Sequence, residues 1–350
     1  MQLPIYANLA IFIVAAIFVW RSGAGLSRLA DVIAERTGLG YAFVGVLLLG
    51  VGTSLPEIVT TATASLGGNA ALAGHNLLGG VAMQIAVLAL IDATAMGRSA
   101  PLTYFSPRSV LLIQGVALVL LAALAIAAIA LGDVAVMGHV GLGPIALAAV
   151  YGLSLYVVWR YEGQPRWEPS GDIAEPPQSA VDMKDEQQRR YAAVGLGGIW
   201  VRLAMAAAVV LVSGYAVAVS GEAIAEQTGV GSTVVGGTLV AFATSLPEIS
   251  TTVTAVRLGA YSMAIANIFG TNAIELALFL PADLLYRDGL VLSELGRPAI
   301  FLAAMGIVTT TIYLWGILER RDRTAFGMGY DSIAVAVVYL VGVALFALSG

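Results

Sequence analysis

Ten long apolar runs separated by short polar breaks dominate the chain, at approximately 4–21, 40–66, 70–95, 109–131, 140–159, 199–221, 231–256, 260–285, 298–318 and 329–349. Each is close to the roughly 17–25 apolar residues that a helix needs to cross a bilayer. The pattern predicts an all-α polytopic membrane protein with about ten transmembrane helices. Segments 24–39 and 215–230 are less apolar and read as tilted continuations of the first and sixth helices. One long polar stretch, about Arg160 to Tyr191, carries Pro165, Pro169, Pro176, Pro177 and charges of both signs. It reads as a flexible linker between two halves, giving the division 1–160, 161–192 and 193–350.

Composition sharpens this picture. The chain is 59% hydrophobic and 11% charged, where soluble domains carry about 25% charged residues. The absence of Cys excludes disulfides, thiolate metal sites and a cysteine nucleophile. Met1-Gln2-Leu3-Pro4 lacks the basic segment of a cleaved signal peptide, so the first run is expected to stay as a helix. Placing the N-terminus outside a cell membrane puts every Lys and Arg except Arg287 and Arg297 on the cytoplasmic side. That bias sets the expected topology, with both termini outside and the linker in the cytoplasm. The lipid bilayer is the implied partner; nothing suggests nucleic acid, and no oligomeric state is implied.

The chain also repeats itself. Thr53-Ser54-Leu55-Pro56-Glu57-Ile58 returns 191 positions later as Thr244-Ser245-Leu246-Pro247-Glu248-Ile249. At the same offset Thr60-Thr61 matches Thr251-Thr252, Asn76 matches Asn267, Gly79 matches Gly270, and Asp92 matches Asp283. Five helices per half is an odd number, so the halves enter the membrane from opposite sides. Such inverted repeats place their binding site at the midplane, where helices are interrupted.

Each hexapeptide puts a carboxylate inside an apolar run, which is costly and marks function. Its proline withholds a donor from the carbonyl four residues earlier, that of Gly52 or Ala243. Residues four apart share a helix face, so Thr53 accompanies Glu57 and Thr244 accompanies Glu248, with Ser54 and Ser245 one step round. The following helices supply Thr271 and Glu275 in the second half, opposite Gly80 and Gln84 in the first. Converging on one axis, these residues would form an all-oxygen cage with up to three negative charges, of the kind that hard cations such as Ca²⁺ favour. Neutralising the acids with one divalent ion or several monovalent ions would permit rearrangement, which favours exchange over uniport. Protons could replace the monovalent ions.

The T-S-L-P-E pattern, followed by a line that ends 27 residues after its Glu at Gln84 or Glu275 and present in two inverted copies, resembles the G-T-S-L-P-E and G-S-N-x-x-N/D lines of the sodium/calcium exchanger branch of the Ca²⁺/cation antiporter superfamily. The resemblance covers most of the chain apart from the linker. It implies Na⁺/Ca²⁺ antiport by alternating access, without a cofactor. It also implies cation ligation by Glu57, Glu248 and Glu275, with Gln84 at the fourth corner and Thr53, Ser54, Thr244, Ser245 and Thr271 completing the Na⁺ sites. The chain departs from the pattern at Gly80, where a Ser is usual, and in the longer Gln84 and Glu275. These departures bear on ion selectivity, and they keep a Ca²⁺/H⁺ antiporter as the alternative.

Simpler readings stand beside these. His75 is a candidate proton sensor, although a packed, hydrogen-bonded histidine is the favoured reading. Asn76, Asn267 and Asn272 suit ties between helices, and the Thr residues after each hexapeptide suit bonds to their own helix carbonyls. Asp92 and Asp283, near helix ends, are expected in solvated positions. A channel would show a filter loop or a subunit-built pore. An intramembrane enzyme would show a zinc or nucleophile motif. The sequence shows neither, so no enzymatic activity is expected.

Overall fold

The computed structural model of the chain describes residues 3–96, 100–162, 176–228 and 245–349. The first half runs α1 (Ile5–Thr37), α2 (Tyr41–Thr53), α3 (Leu55–Leu66), α4 (Ala70–Ala95), α5 (Ser109–Leu131) and α6 (Leu142–Glu162). After α7 (Gln178–Tyr191) the second half contributes α8 (Leu196–Thr228), α9 (Leu246–Arg257), α10 (Tyr261–Ala277), α11 (Phe279–Leu285), α12 (Arg297–Glu319) and α13 (Tyr330–Ser349). Among the described residues eight spans are long and apolar enough to cross a membrane, and α2 with α3, bent by 49°, makes a ninth. The tenth expected span, 231–256, is described only from residue 245 onward, as α9. The expected continuations are present, since α1 and α8 run unbroken to Thr37 and Thr228.

The repeat in the sequence is a repeat in space. α1 and α8 begin and end at equivalent residues, as do α3 and α9. The turn after α3 uses Gly68 at φ 75°, and the turn after α9 uses the equivalent Gly259 at φ 71°. That left-handed conformation favours glycine.

The two copies run in opposite directions. The Gln227 amide at the end of α8 donates to the Leu3 carbonyl before α1 at 2.8 Å. At the opposite end Arg36 of α1 donates to the carbonyls of Tyr191 (2.7 Å) and Val194 (2.5 Å), just before α8. Equivalent helices packed antiparallel are what inversion requires.

Each long outer helix lies on the helix that opens with the other half's Pro-Glu pair. Gly23 of α1 meets α9 so closely that a Cβ there would sit 2.8 Å from Ser250 Oγ and 3.2 Å from the Pro247 carbonyl. Its counterpart Gly214 in α8 packs on the Pro56 ring. In the centre, α10 is buried at every position from Tyr261 to Leu276. There Gly270 lets its backbone meet that of Val46 in α2. Without a hydrophobic drive between helices in lipid, such small-residue contacts carry the packing.

Two expectations are corrected here. Asp92 and Asp283 are wholly buried. Asp92 accepts from the Leu102 N–H and the Gly329 N–H, both at 2.7 Å. Asp283 accepts from Val291 at 2.7 Å and Gly141 at 2.6 Å. Each acid therefore ties a loop of its own half to the hairpin before the other half's last helix; those hairpins are β1 (Ala135–Met137) with β2 (Val140–Gly141), and β3 (Thr324–Ala325) with β4 (Met328–Gly329). A helix end that looks interfacial in sequence is covered by the partner half.

The linker is the second correction. Residues 178–191 form α7, docked on the bundle rather than free. Gln187 donates to Asp31 Oδ2 at 2.6 Å and Gln188 to Glu35 at 2.7 Å, while Lys184 donates to the Tyr41 hydroxyl at 2.8 Å. Pro177 precedes the first turn, where a fixed φ starts a helix readily. Pro165 and Pro169 lie outside the described residues.

Candidate functional site

The break between α2 and α3 falls at Ser54, whose φ of −76° and ψ of 1° leave the helical region. Pro56 enters the first turn of α3, where its missing N–H costs nothing, and Glu57 follows in that same turn. The N-terminal end of a helix favours negative charge. The second half repeats the arrangement with Ser245 at φ −81° and ψ 4°, then Pro247 and Glu248. Two half-helices thus begin deep in the protein, each with a carboxylate in its opening turn.

These acids are brought together with a third. Glu57, Glu248 and Glu275 are all buried, and Glu248 lies within electrostatic reach of both others. The Thr53 and Thr271 hydroxyls meet at 3.2 Å, joining the halves. Gln84 Nε2 donates to Glu275 Oε1 at 2.6 Å. Thr53 also bonds its own Leu49 carbonyl at 3.0 Å, and Ser54 bonds Gly50 at 2.7 Å. Ser245 and Gly52 are buried at the two breaks. Thr244 and Ala243, expected ligands of the second half, lie outside the described residues.

No Lys or Arg among the described residues forms an ion pair with the three acids; the described pair, Arg321 with Glu319, is at the surface. The buried atoms without a hydrogen-bond partner here are oxygens: Glu57 Oε2, both oxygens of Glu248, Glu275 Oε2, and Oε1 of Gln84. Buried polar atoms are nearly always satisfied, and a group consisting of acceptors alone is chemically suited to a cation. Among the described residues no group of three His, Cys, Asp or Glu side chains is already arranged to hold a metal ion.

His75 is not part of this group. It sits nine residues before Gln84 on α4, about 13 Å along the axis, and its Nδ1 bonds the Ala71 carbonyl at 2.7 Å. Asn76 and Asn267 do tie helices, to Thr60 at 3.4 Å and to Thr251 and Thr252 at 3.0 and 3.1 Å. Asn272 donates to Val81 of the other half at 3.1 Å. The side-chain oxygens of Asn267 and Asn272 are nevertheless buried without partners. From the sequence, tying helices is the first role for these amides, with contact to water or ions second. Their place beside Thr271 and Glu275 in the same motif line was the available signal.

Comparison with known proteins gives a consistent result. Residues 7–160 and 198–348 match the family model described as sodium/calcium exchanger protein. The chain is 24% identical over 282 residues to the inner membrane protein YrbG of Escherichia coli, covering 80% of each chain. It is 34% identical over 122 residues to the sodium/calcium exchanger MaX1 of Methanosarcina acetivorans, covering 33% of this chain and 34% of that one. Its fold matches the solved sodium-calcium exchanger NCX_Mj with a TM-score of 0.68 at 18% identity, over 97% of this chain and 99% of that one.

Proposed function

Because the chain belongs to the sodium/calcium exchanger protein family, we propose that it is a secondary active antiporter that moves Ca²⁺ against Na⁺ by alternating access. The observation that carries this reading is the buried group of unpartnered oxygens on Glu57, Glu248, Glu275 and Gln84, with no basic side chain among the described residues paired to the acids. Ca²⁺ takes about six to eight oxygen ligands, and carboxylates, an amide and hydroxyls are what α2, α3, α4, α9 and α10 present. Thr53, Ser54, Ser245 and Thr271 would add hydroxyl ligands for Na⁺, and Gly52 its carbonyl. Thr244 and Ala243 would do the same in the second half.

The charge of the group supplies the coupling rule. Three unpaired carboxylates resist a passage through the closed bundle, and one divalent or several monovalent cations remove that barrier. Inverted halves then rock around a fixed site. The basic residues fit the proposed orientation. Arg36, Lys184, Arg189, Arg190, Arg257, Arg320 and Arg321 belong to the end that carries α7, the cytoplasmic one, whereas Arg287 and Arg297 are at the other. Both termini would then lie outside a multi-pass cell membrane protein.

A second reading keeps the carrier and replaces Na⁺ with H⁺. It is favoured by the asymmetry at Gly80, which offers no hydroxyl where the other half has Thr271. Proteoliposomes separate the two. ⁴⁵Ca²⁺ uptake driven by an outward Na⁺ gradient at clamped pH supports Na⁺ coupling. Uptake that ignores Na⁺ and follows ΔpH establishes the alternative, and uptake requiring neither gradient rejects antiport.

A further inference from the structure

The inverted repeat equates Gly80 of α4 with Thr271 of α10, and Gln84 with Glu275. The two pairs are filled differently. On the second-half side, Thr271 places a hydroxyl against Thr53. On the first-half side, the Glu275 carboxylate reaches across and takes the space itself. A Cβ on Gly80 would lie 2.5 and 2.8 Å from its two oxygens and 2.9 Å from its carboxyl carbon. Those distances are far inside ordinary contact, so a side chain at position 80 and the observed Glu275 conformation exclude one another. Gln84 completes the arrangement by holding Oε1 at 2.6 Å, which leaves Oε2 buried and without a partner.

An interior glycine weakens a helix, and at position 80 no turn or positive φ calls for one. Its lack of a side chain has a steric consequence instead. We infer that Gly80 is a specificity-determining position, whose missing side chain admits the Glu275 carboxylate and so replaces a neutral hydroxyl with an acidic oxygen on the first-half side. This rests on the reading of the cluster as the cation site and deepens it. A hydroxyl serves a monovalent ion without adding charge, whereas a carboxylate oxygen favours a divalent ion or a proton. Gly80 with Glu275 therefore tilts the site away from Na⁺ on the first-half side.

The test is a cycle of Gly80→Ser, Glu275→Asp and the double variant, with Gly80→Ala/Glu275→Asp as a steric control. The full-length purified protein is studied in detergent. Thermal stability is measured first in ion-free buffer, then with Ca²⁺ or Na⁺, and exchange is measured in proteoliposomes. Gly80→Ser alone is expected to lower apparent Ca²⁺ affinity at least tenfold by displacing the carboxylate. Shortening the acid in the double variant restores stability, and it raises apparent Na⁺ affinity at least fivefold over wild type. The Ala control recovers stability without the gain in Na⁺.

Wild-type behaviour of Gly80→Ser, or additive losses in the double variant, would overturn the steric link. Equal Na⁺ affinity in the Ser and Ala double variants would overturn the specificity role. Failure of the exchanger reading is distinct. It would appear as a wild type that binds Ca²⁺ yet shows no exchange, while the ion-free stability cycle still decides whether positions 80 and 275 are coupled.

Discussion

Asp283→Ala removes a carboxylate that accepts from two buried backbone donors, Val291 at 2.7 Å and Gly141 at 2.6 Å. A hydrogen bond to a charged group contributes about 1.5–3 kcal/mol, so the pair is worth roughly 3–6 kcal/mol. Both N–H groups belong to buried residues, so little of that loss is offset by water. Asp283→Asn keeps one acceptor oxygen and turns an amide N–H₂ toward the other donor, so about half of the loss or more is expected. Asp92→Ala should cost a similar amount, because it holds Leu102 and Gly329 in the same way.

The two acids occupy equivalent positions in oppositely inserted halves and share no partner, so their effects should add to within about 0.5 kcal/mol. Unfolding is followed by tryptophan fluorescence in mixed micelles with rising SDS. A loss below about 1 kcal/mol in either Ala variant would refute the claim that these acids fasten one half to the other. So would a double variant no worse than each single one.

Other outcomes follow from the same geometry. Glu57→Gln and Glu248→Gln should each lower Na⁺-driven ⁴⁵Ca²⁺ flux at least tenfold with the melting temperature kept within a few degrees, since neither acid is ion-paired among the described residues; unchanged flux in the pair would remove them from the site. Gly23→Val should destabilise the protein by about 1–3 kcal/mol, because even its Cβ would meet Ser250 and the Pro247 carbonyl, and thermal unfolding reads this directly. Gln187→Ala breaks bonds from α7 to Asp31 and to the Arg28 carbonyl. It should cost about 1–2 kcal/mol and speed proteolysis within 178–191, whereas an unchanged cleavage pattern would mean that α7 is held by other contacts.

Much of this protein is written in its linear pattern. Apolar runs of spanning length and a hexapeptide repeated at an offset of 191 determine the helices, the break before Pro56, the helix start at Pro247, and the opposed insertion of the halves. These features are local, because spanning length and a proline's missing donor depend on neighbours along the chain alone. The acids were legible for the same reason, since a carboxylate in an apolar run is costly wherever the run packs.

What tertiary structure decided is which surface covers which. Asp92 and Asp283 looked solvated at their helix ends and are buried, because a hairpin from the other half closes over each. Residues 178–191, polar enough to suggest a free linker, fold as α7 once Asp31, Glu35 and Tyr41 supply partners. The exchange of space between Gly80 and Glu275 is likewise invisible in the sequence. The two residues are far apart in the chain, and only the inverted packing puts one where the other's side chain would be. Period and composition govern the helices, whereas contacts between distant segments depend on three-dimensional docking.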